Sequence, residues 1–383
     1  MRHRNFLIGL VSAAFLAAGN SVAAGPAILS RSIRVGDTLY VSGAGSMDPK
    51  TGKHPEGMEA ATKQVMLNLK GYLGDHGFTF ADVVASQVWI TDLSKFAELN
   101  KAYREVFQGD FPTRTTIEVS ALPGGSTVEI GMVAVKGNKR IIHPKGAKSL
   151  NLPFSPGILV GDTLFISGQA GVDPQMGKLI EGDIKAHVAQ TLKNIEAILQ
   201  AAGMDFSNVV HANVFLTNPA DFGPMSEVYR SFTKQPRPAR VPLGATRLPL
   251  NAPVEITMLA KRHKGKAILP PDMQPTDNYS RGFLVDNELY VAGTGSAKES
   301  VQERVDDCLG RVKKIVEAAG MSMENVVEAR IYLSDIKDFE AMNRAYRKYF
   351  ATGKPPTRAT VAVAKLSGNL KIMTSFVAAK EEK

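Results

Sequence analysis

The chain has 383 residues, 44% hydrophobic and 22% charged, with a formal net charge of +9; at roughly 100–200 residues per domain it reads as a folded globular protein of two to three domains, which excludes disordered and fibrous classes. A single cysteine excludes a disulfide framework and every cysteine-based zinc or iron–sulfur site. The histidines offer neither HExxH nor a pair at ligand spacing, and no GxGxxG, GxxxxGK(S/T) or GxSxG motif occurs, so neither a metal nor a nucleotide cofactor is expected.

The chain opens with Met1-Arg2-His3-Arg4, continues as an apolar run from Phe6 to Ala18, and passes through Gly19-Asn20-Ser21-Val22-Ala23-Ala24. A basic start, about a dozen apolar residues and small residues at the end make a secretory signal peptide. Cleavage is expected after Ala24, with Ala23 as the near alternative. An uncleaved anchor helix is the other reading, but the run falls short of the ~20 residues that cross a bilayer. The mature protein is therefore expected in the periplasm or outside the cell, without stable membrane insertion. Cys308 suits an oxidising compartment because it has no partner within the chain.

Self-similarity dominates the remainder. Gly36-Asp37-Thr38-Leu39-Tyr40-Val41-Ser42-Gly43 returns as Gly161-Asp162-Thr163-Leu164-Phe165-Ile166-Ser167-Gly168, and again as Asp286-Asn287-Glu288-Leu289-Tyr290-Val291-Ala292-Gly293. Pro112-Thr113-Arg114 is answered by Pro238-Ala239-Arg240 and Pro356-Thr357-Arg358. A Tyr-x3-Phe pair recurs at Tyr103/Phe107 and Tyr346/Phe350, one residue shorter at Tyr229/Phe232. After the signal peptide (1–24) these marks define repeats at 25–137, 148–262 and 274–381, with connectors at 138–147 and 263–273. Each repeat is too long for a solenoid unit and suits a small domain.

Within a repeat the periodicity changes in a fixed order. Two alternating apolar runs flank a two-residue hairpin signal at Gly36-Asp37. A helical stripe follows, seen best in Ile184, Val188, Thr191, Leu192, Ile195 and Leu199. A strand comes next (Val83 to Ile90, Val209 to Leu216, Val326 to Leu333), then a second helix carrying the Tyr-x3-Phe pair. Two strands around Leu122-Pro123-Gly124-Gly125 close the unit. The order ββαβαββ predicts an α+β fold with helices on one face of a largely antiparallel sheet. Three copies in one chain can cover each other's remaining faces.

The positive charge is concentrated at the connectors. Lys136, Lys139, Arg140, Lys145 and Lys148, with Lys261, Arg262, Lys264 and Lys266, outnumber by two the net charge of +7 left after Arg2 and Arg4 depart, so the repeat bodies sum to −2. A nucleic-acid reader would interleave such residues with aromatics on one face. Here they sit among glycine and proline, as solvated linkers, so no nucleic-acid partner is expected; weak contact with anionic surfaces is the alternative.

The run Ser167-Gly168-Gln169-Ala170-Gly171-Val172-Asp173-Pro174, the Pro-x-Arg triplets, and Val128-Glu129-Ile130 with Val254-Glu255-Ile256 resemble the RidA/YjgF family of reactive intermediate deaminases, three times over nearly the whole mature chain. The resemblance implies a chorismate-mutase-like fold and ligand sites in clefts between neighbouring subunits of a homotrimer. Three tandem copies then imply an intramolecular pseudo-trimer, held by high effective concentration and free to let its three clefts diverge. No obligate homotrimer of chains is expected.

The resemblance also assigns roles. An arginine grips the substrate carboxylate and a glutamate fifteen residues later handles water, a spacing met by Arg114 with Glu129 and by Arg240 with Glu255. A guanidinium binds a carboxylate bidentately, which places the adjacent carbon against an acid/base group. The bland alternative is a buried Arg–Glu pair that joins two strands. In the third copy Arg358 persists but Met373 stands fifteen residues on, and Ala292 replaces Ser42 and Ser167. That copy is expected to bind a carboxylate at most, with the chemistry left to the first two.

Further ligand-contact positions implied are the Ser-Gly backbone sites Ser42-Gly43 and Ser167-Gly168. A wall position before a serine is Leu29, Phe154 or Tyr279, and a helix position is Asn100, Ser226 or Asn343. The expected activity is hydrolysis of 2-imino acids, or their enamines, to 2-oxo acids and ammonia, without cofactor. A non-catalytic binding protein for small carboxylates is the second possibility. Endoribonuclease activity, attributed to some relatives, is the third and has the least support.

Overall fold

The computed structural model describes residues 27–381 apart from 108, 147, 149–150 and 351–352; the signal peptide expectation lies outside the described residues. Each repeat is built on one main sheet with two helices on one face, and the second adds a two-stranded ribbon of Val172–Asp173 with Lys178–Leu179. In the first, the sheet order is Ser32–Val35, Thr38–Gly45, Val128–Val135, Val83–Ile90, Thr113–Glu118. All neighbours are antiparallel except the last pair, which is parallel. The first hairpin turns through Gly36 at φ 55, and Gly161 (φ 53) and Asp286 (φ 49) take the same left-handed position, which suits glycine and is tolerated by aspartate.

The helices are α1 (Met58–Gly74), α2 (Phe96–Val106), α3 (Ile184–Ala201), α4 (Phe222–Phe232), α5 (Val301–Ala318) and α6 (Phe339–Arg347). They pack in pairs, one pair per sheet, because their apolar residues recur at three- and four-residue spacing. In α1 these are Ala61, Val65, Leu69 and Leu73, set against Leu39, Val88 and Ile130 of the sheet. In α3 they are Val188, Thr191, Leu192, Ile195 and Leu199, all buried. The middle strands occupy Val83–Ile90, Val209–Leu216 and Val326–Leu333, as the periodicity predicts.

The alternate residues of those strands point away from the helices, and there the three repeats meet. Trp89 and Ile117 of the first repeat, Phe215 and Val241 of the second, and Tyr332, Val361 and Met373 of the third form one buried cluster. Each repeat meets both others through the same backbone bond: the N–H of Ser155 donates to the Pro112 carbonyl (3.1 Å), Ser280 to Pro238 (3.3 Å), and Ser30 to Pro356 (3.1 Å). The parallel strand that would be a bare sheet edge in an isolated repeat is thereby covered by its neighbour.

The connectors depart from the expectation of solvated linkers. Lys139–Ile142 pairs antiparallel with Gly157–Val160, and Lys266–Ile268 with Gly282–Val285, so each connector begins as the outer strand of the following repeat's sheet. Ile142 and Ile268 are buried there, and this apolar anchoring outweighs the basic residues around them.

Candidate active site

The arginine of each Pro-x-Arg triplet lies on the edge strand, with its side chain on the helix side of the sheet. The Arg114 guanidinium carbon is 5.0 Å from the Tyr103 ring centroid, 5.3 Å from Phe96 and 5.3 Å from Phe154 of the second repeat. Its Nη1 and Nη2 are buried and have no hydrogen-bond partner. Burial lowers its pKa to about 10, with Tyr103 and Glu255 acting the other way, so it is a cation at neutral pH. An unpaired buried guanidinium is costly, and this one is held ready for an anion.

Across the boundary stands Glu255, not Glu129. Burial pushes its carboxyl up to about 8, against the opposing pull of Arg114 and the backbone amide of Thr116. The second cleft repeats this arrangement between the third and first repeats. Glu129 is pushed up to about 8 by burial, with Arg358 and the Thr360 amide opposing. Arg358 lies 4.9 Å from the Tyr346 ring and 5.8 Å from Phe339, and its Nη2 donates to Asn343 Oδ1 at 2.7 Å.

The expected pairs, Arg114 with Glu129 and Arg240 with Glu255, are therefore corrected. The reason is sheet order. Glu129 sits in register with Gly45 and Trp89, next to the strand Thr38–Gly45, while Arg114 lies on the far edge strand of the same sheet. One repeat sends its arginine into the boundary with the next repeat and its glutamate into the boundary with the previous one. Arg358, expected to lack a partner, has Glu129.

The Ser-Gly sites close the boundary. Val41 pairs with Met132 and Ala44 with Ile130, so Ser42 and Gly43 form a β-bulge, a device that re-aims the backbone. Ser42 Oγ accepts from Arg358 N (2.8 Å) and donates to Ser30 O (2.6 Å). Ser167 Oγ accepts from Arg114 N (2.9 Å) and donates to Ser155 O (2.6 Å). A Cβ on Gly43 would lie 2.0 Å from Glu129 Oε1, and one on Gly168 would lie 1.8 Å from Glu255 Oε1. Each glycine is required by the glutamate it faces.

The third cleft, between the second and third repeats, keeps the arginine and loses the rest. Arg240 lies 4.9 Å from the Tyr229 ring and 5.7 Å from Tyr279, and its Nη2 donates to Ser226 Oγ at 3.1 Å. Met373 replaces the glutamate, Ala292 the serine, and Pro242 takes the place of Thr116 and Thr360, without an N–H. Met373 Sδ and Pro242 Cδ lie 3.0 and 3.4 Å from where a Gly293 Cβ would be.

Other wall positions behave unequally. Phe154 and Tyr279 face arginines, while Leu29 gives the Arg358 cleft no aromatic wall at that position. Asn343 grips Arg358, whereas Asn100 Oδ1 is buried without a partner. Sequence reasoning missed the tyrosines: Tyr103, Tyr229 and Tyr346 served only as repeat marks, yet each ring lies against an arginine. They stand eleven, eleven and twelve positions before the Pro-x-Arg arginine, and that near-constant spacing is the signal that could have found them. A cavity of ≈160 Å³ between the three sheets, lined by Tyr40, Gln87, Phe165, Asn213, Tyr290 and Arg330, is not the candidate site. Arg114 and Arg330 both line it, and the Arg330 guanidinium is already paired, with Glu328 at 2.8 Å.

A family model described as endoribonuclease L-PSP matches residues 22–136, 147–262 and 271–380. A RutC family protein of Pyrococcus horikoshii is 39% identical over 122 residues, 32% of this chain and 97% of that protein. The human 2-iminobutanoate/2-iminopropanoate deaminase is 38% identical over 122 residues, 32% of this chain and 89% of that protein. Among solved structures, RidA from an Antarctic Psychrobacter is 37% identical, covering 32% of this chain and 98% of that chain, with TM-score 0.31. E. coli TdcF, solved with bound serine, is 31% identical, covering 32% and 98%, with TM-score 0.30.

Proposed function

This chain belongs to the RidA/YjgF family, and on that footing we propose that it hydrolyses 2-imino acids to 2-oxo acids and ammonia in two of its three clefts. The observation that carries the proposal is the pairing of a buried guanidinium that keeps unsatisfied N–H groups (both Nη atoms of Arg114, Nη1 of Arg358) with a carboxyl held protonated near neutrality, at Arg114/Glu255 and at Arg358/Glu129. Relatives named as 2-iminobutanoate/2-iminopropanoate deaminases support the same reaction class.

The substrate carboxylate lies against the arginine, which orients the imine carbon toward the glutamic acid. The acid donates its proton to the imine nitrogen, giving an iminium and a carboxylate. That carboxylate takes a proton from the water that attacks the iminium carbon, forming a carbinolamine. The same proton passes to the amine nitrogen; ammonia leaves as the hydroxyl proton returns to the glutamate and the carbonyl forms. A positioned acid/base group of this kind contributes roughly 10²–10⁴-fold. No metal or covalent nucleophile takes part in this route.

The test is ammonia release from freshly generated 2-iminopropanoate and 2-iminobutanoate, corrected for spontaneous hydrolysis. A rate equal to the buffer blank sinks the proposal. Loss of the glutamate in the third cleft favours one second reading, a binding protein for small carboxylates. We also propose that the enzyme acts outside the cytoplasm, which N-terminal sequencing of protein from fractionated cells tests: a sequence beginning at Met1 in the cytoplasmic fraction overturns it.

A further inference from the structure

We infer that the Arg240 cleft is a receptor site for a plain aliphatic carboxylate that it binds without turnover. The inference rests on the proposed function only for the nature of the two other clefts. Arg240 is 3% exposed. Burial lowers its pKa, opposed chiefly by Tyr229 and Tyr279, and no carboxylate acts on it. Its Nε is buried without a partner, and its Nη1 has only the thioether of Met225 at 3.8 Å. A guanidinium so poorly satisfied, with no acid facing it, leaves a site of positive charge that a monoanion would complete.

The losses in this cleft also fit together. The glutamate, the serine and the backbone N–H opposite the glutamate have all gone, replaced by Met373, Ala292 and Pro242. The glutamate is the group that would handle a proton or a water, the amide holds it, and the serine ties the boundary strand; all three replacements are apolar. The arginine, both flanking tyrosines and the boundary bonds remain: Ser280 Oγ donates to Arg237 O at 2.5 Å, and Ser280 N to Pro238 O. The cleft has lost chemistry and kept capture.

The substitution at Met373 sets the ligand class. In the two glutamate clefts a protonated carboxyl can donate to the oxygen or nitrogen at C2 of a 2-oxo or 2-imino acid. A thioether cannot donate, so a C2 carbonyl would lose its hydrogen bond to water and gain none. A carboxylate followed by a methylene chain loses nothing there. The Arg240 cleft is thus selective for the acid without a C2 heteroatom, opposite to its two neighbours.

Isothermal titration of wild-type protein with butanoate and with 2-oxobutanoate tests this. We expect one butanoate site per chain and two 2-oxobutanoate sites, each ligand at least tenfold weaker at the other's sites. Arg240→Ala should abolish the butanoate site while two 2-oxobutanoate sites persist. Met373→Glu should weaken butanoate tenfold or more and create a third 2-oxobutanoate site. The inference is overturned if Arg240→Ala leaves butanoate binding intact, if butanoate displaces 2-oxobutanoate from every site, or if no butanoate binds. Wild-type ammonia release bears on the hydrolase proposal alone, so the two fail separately.

Discussion

The Glu129 carboxyl lies beside the guanidinium of Arg358, two repeats further along the chain, and not beside Arg114 of its own repeat. Each cleft is therefore built from two repeats, and a substitution in one repeat affects two clefts in different ways. The damage in the third repeat falls on the cleft of Arg240, while the arginine of that same repeat serves the cleft of Glu129. In a homotrimer every cleft would change together; a single chain lets one cleft diverge.

This pairing inverts a natural expectation for mutagenesis. Arg358→Ala should remove the contribution of one hydrolytic cleft, as Arg114→Ala removes the other, and the double variant should fall to the spontaneous rate. Initial rates of ammonia release from 2-iminobutanoate distinguish the outcomes. If Arg358→Ala leaves the rate untouched, the cleft of Glu129 does no chemistry.

How far the sequence leads can be judged from these residues. The repeats, the ββαβαββ order and the middle strands were legible because hydrophobic period and turn residues are local signals. The arginines and glutamates were legible through the family resemblance. Their partnership was not, because fifteen residues along the chain says nothing of which side of a sheet boundary each faces. The strands in the basic connectors were hidden for a related reason: their pairing partners lie in the next repeat, and lysine-rich composition masks Ile142 and Ile268.

The cyclic set of boundary bonds, Ser155 to Pro112, Ser280 to Pro238 and Ser30 to Pro356, predicts the assembly. Each repeat already covers the parallel edge strand of one neighbour and has its own covered by the other, so the mature chain should sediment as a compact single-chain particle. Light scattering that returned the mass of three chains would mean that the repeats pair between chains instead.

Close approach at the bulges gives a sharp steric test. Gly168→Ala places a methyl group on Glu255 Oε1, and Gly43→Ala does so on Glu129 Oε1. Each should disable its own cleft, halving turnover, and the double variant should lose at least 10²-fold, the scale of a displaced acid/base group. Because the glutamate side chain can rotate aside, the thermal midpoint should drop far less than activity does. Full activity in the double variant would remove the two glutamates from the chemistry.

The protonated state of these glutamates is open to a combined pH and mutational test. Burial raises Glu129 and Glu255 from an ordinary carboxyl value of 4.5 to about 8. Between those values the folded chain keeps two protons that the unfolded chain has released. The contribution of these two groups to stability is therefore full below about pH 4.5, falls as pH rises through this window, and is lowest above about 8. Glu129→Gln with Glu255→Gln cannot titrate, so this fall should vanish and the variant's advantage in melting temperature should grow with pH. Turnover should meanwhile drop by roughly 10²-fold or more, since an amide neither gives nor takes the proton. Wild-type activity should decline above about pH 8 as the acid ionises, and the residual activity of the variant should show no such decline. Affinity for 2-oxobutanoate should hold, because Arg114 and Arg358 remain and the amide still donates a hydrogen bond. If binding and melting temperature both collapse at every pH, the glutamates are structural partners of the arginines, and hydrolysis at these clefts is excluded.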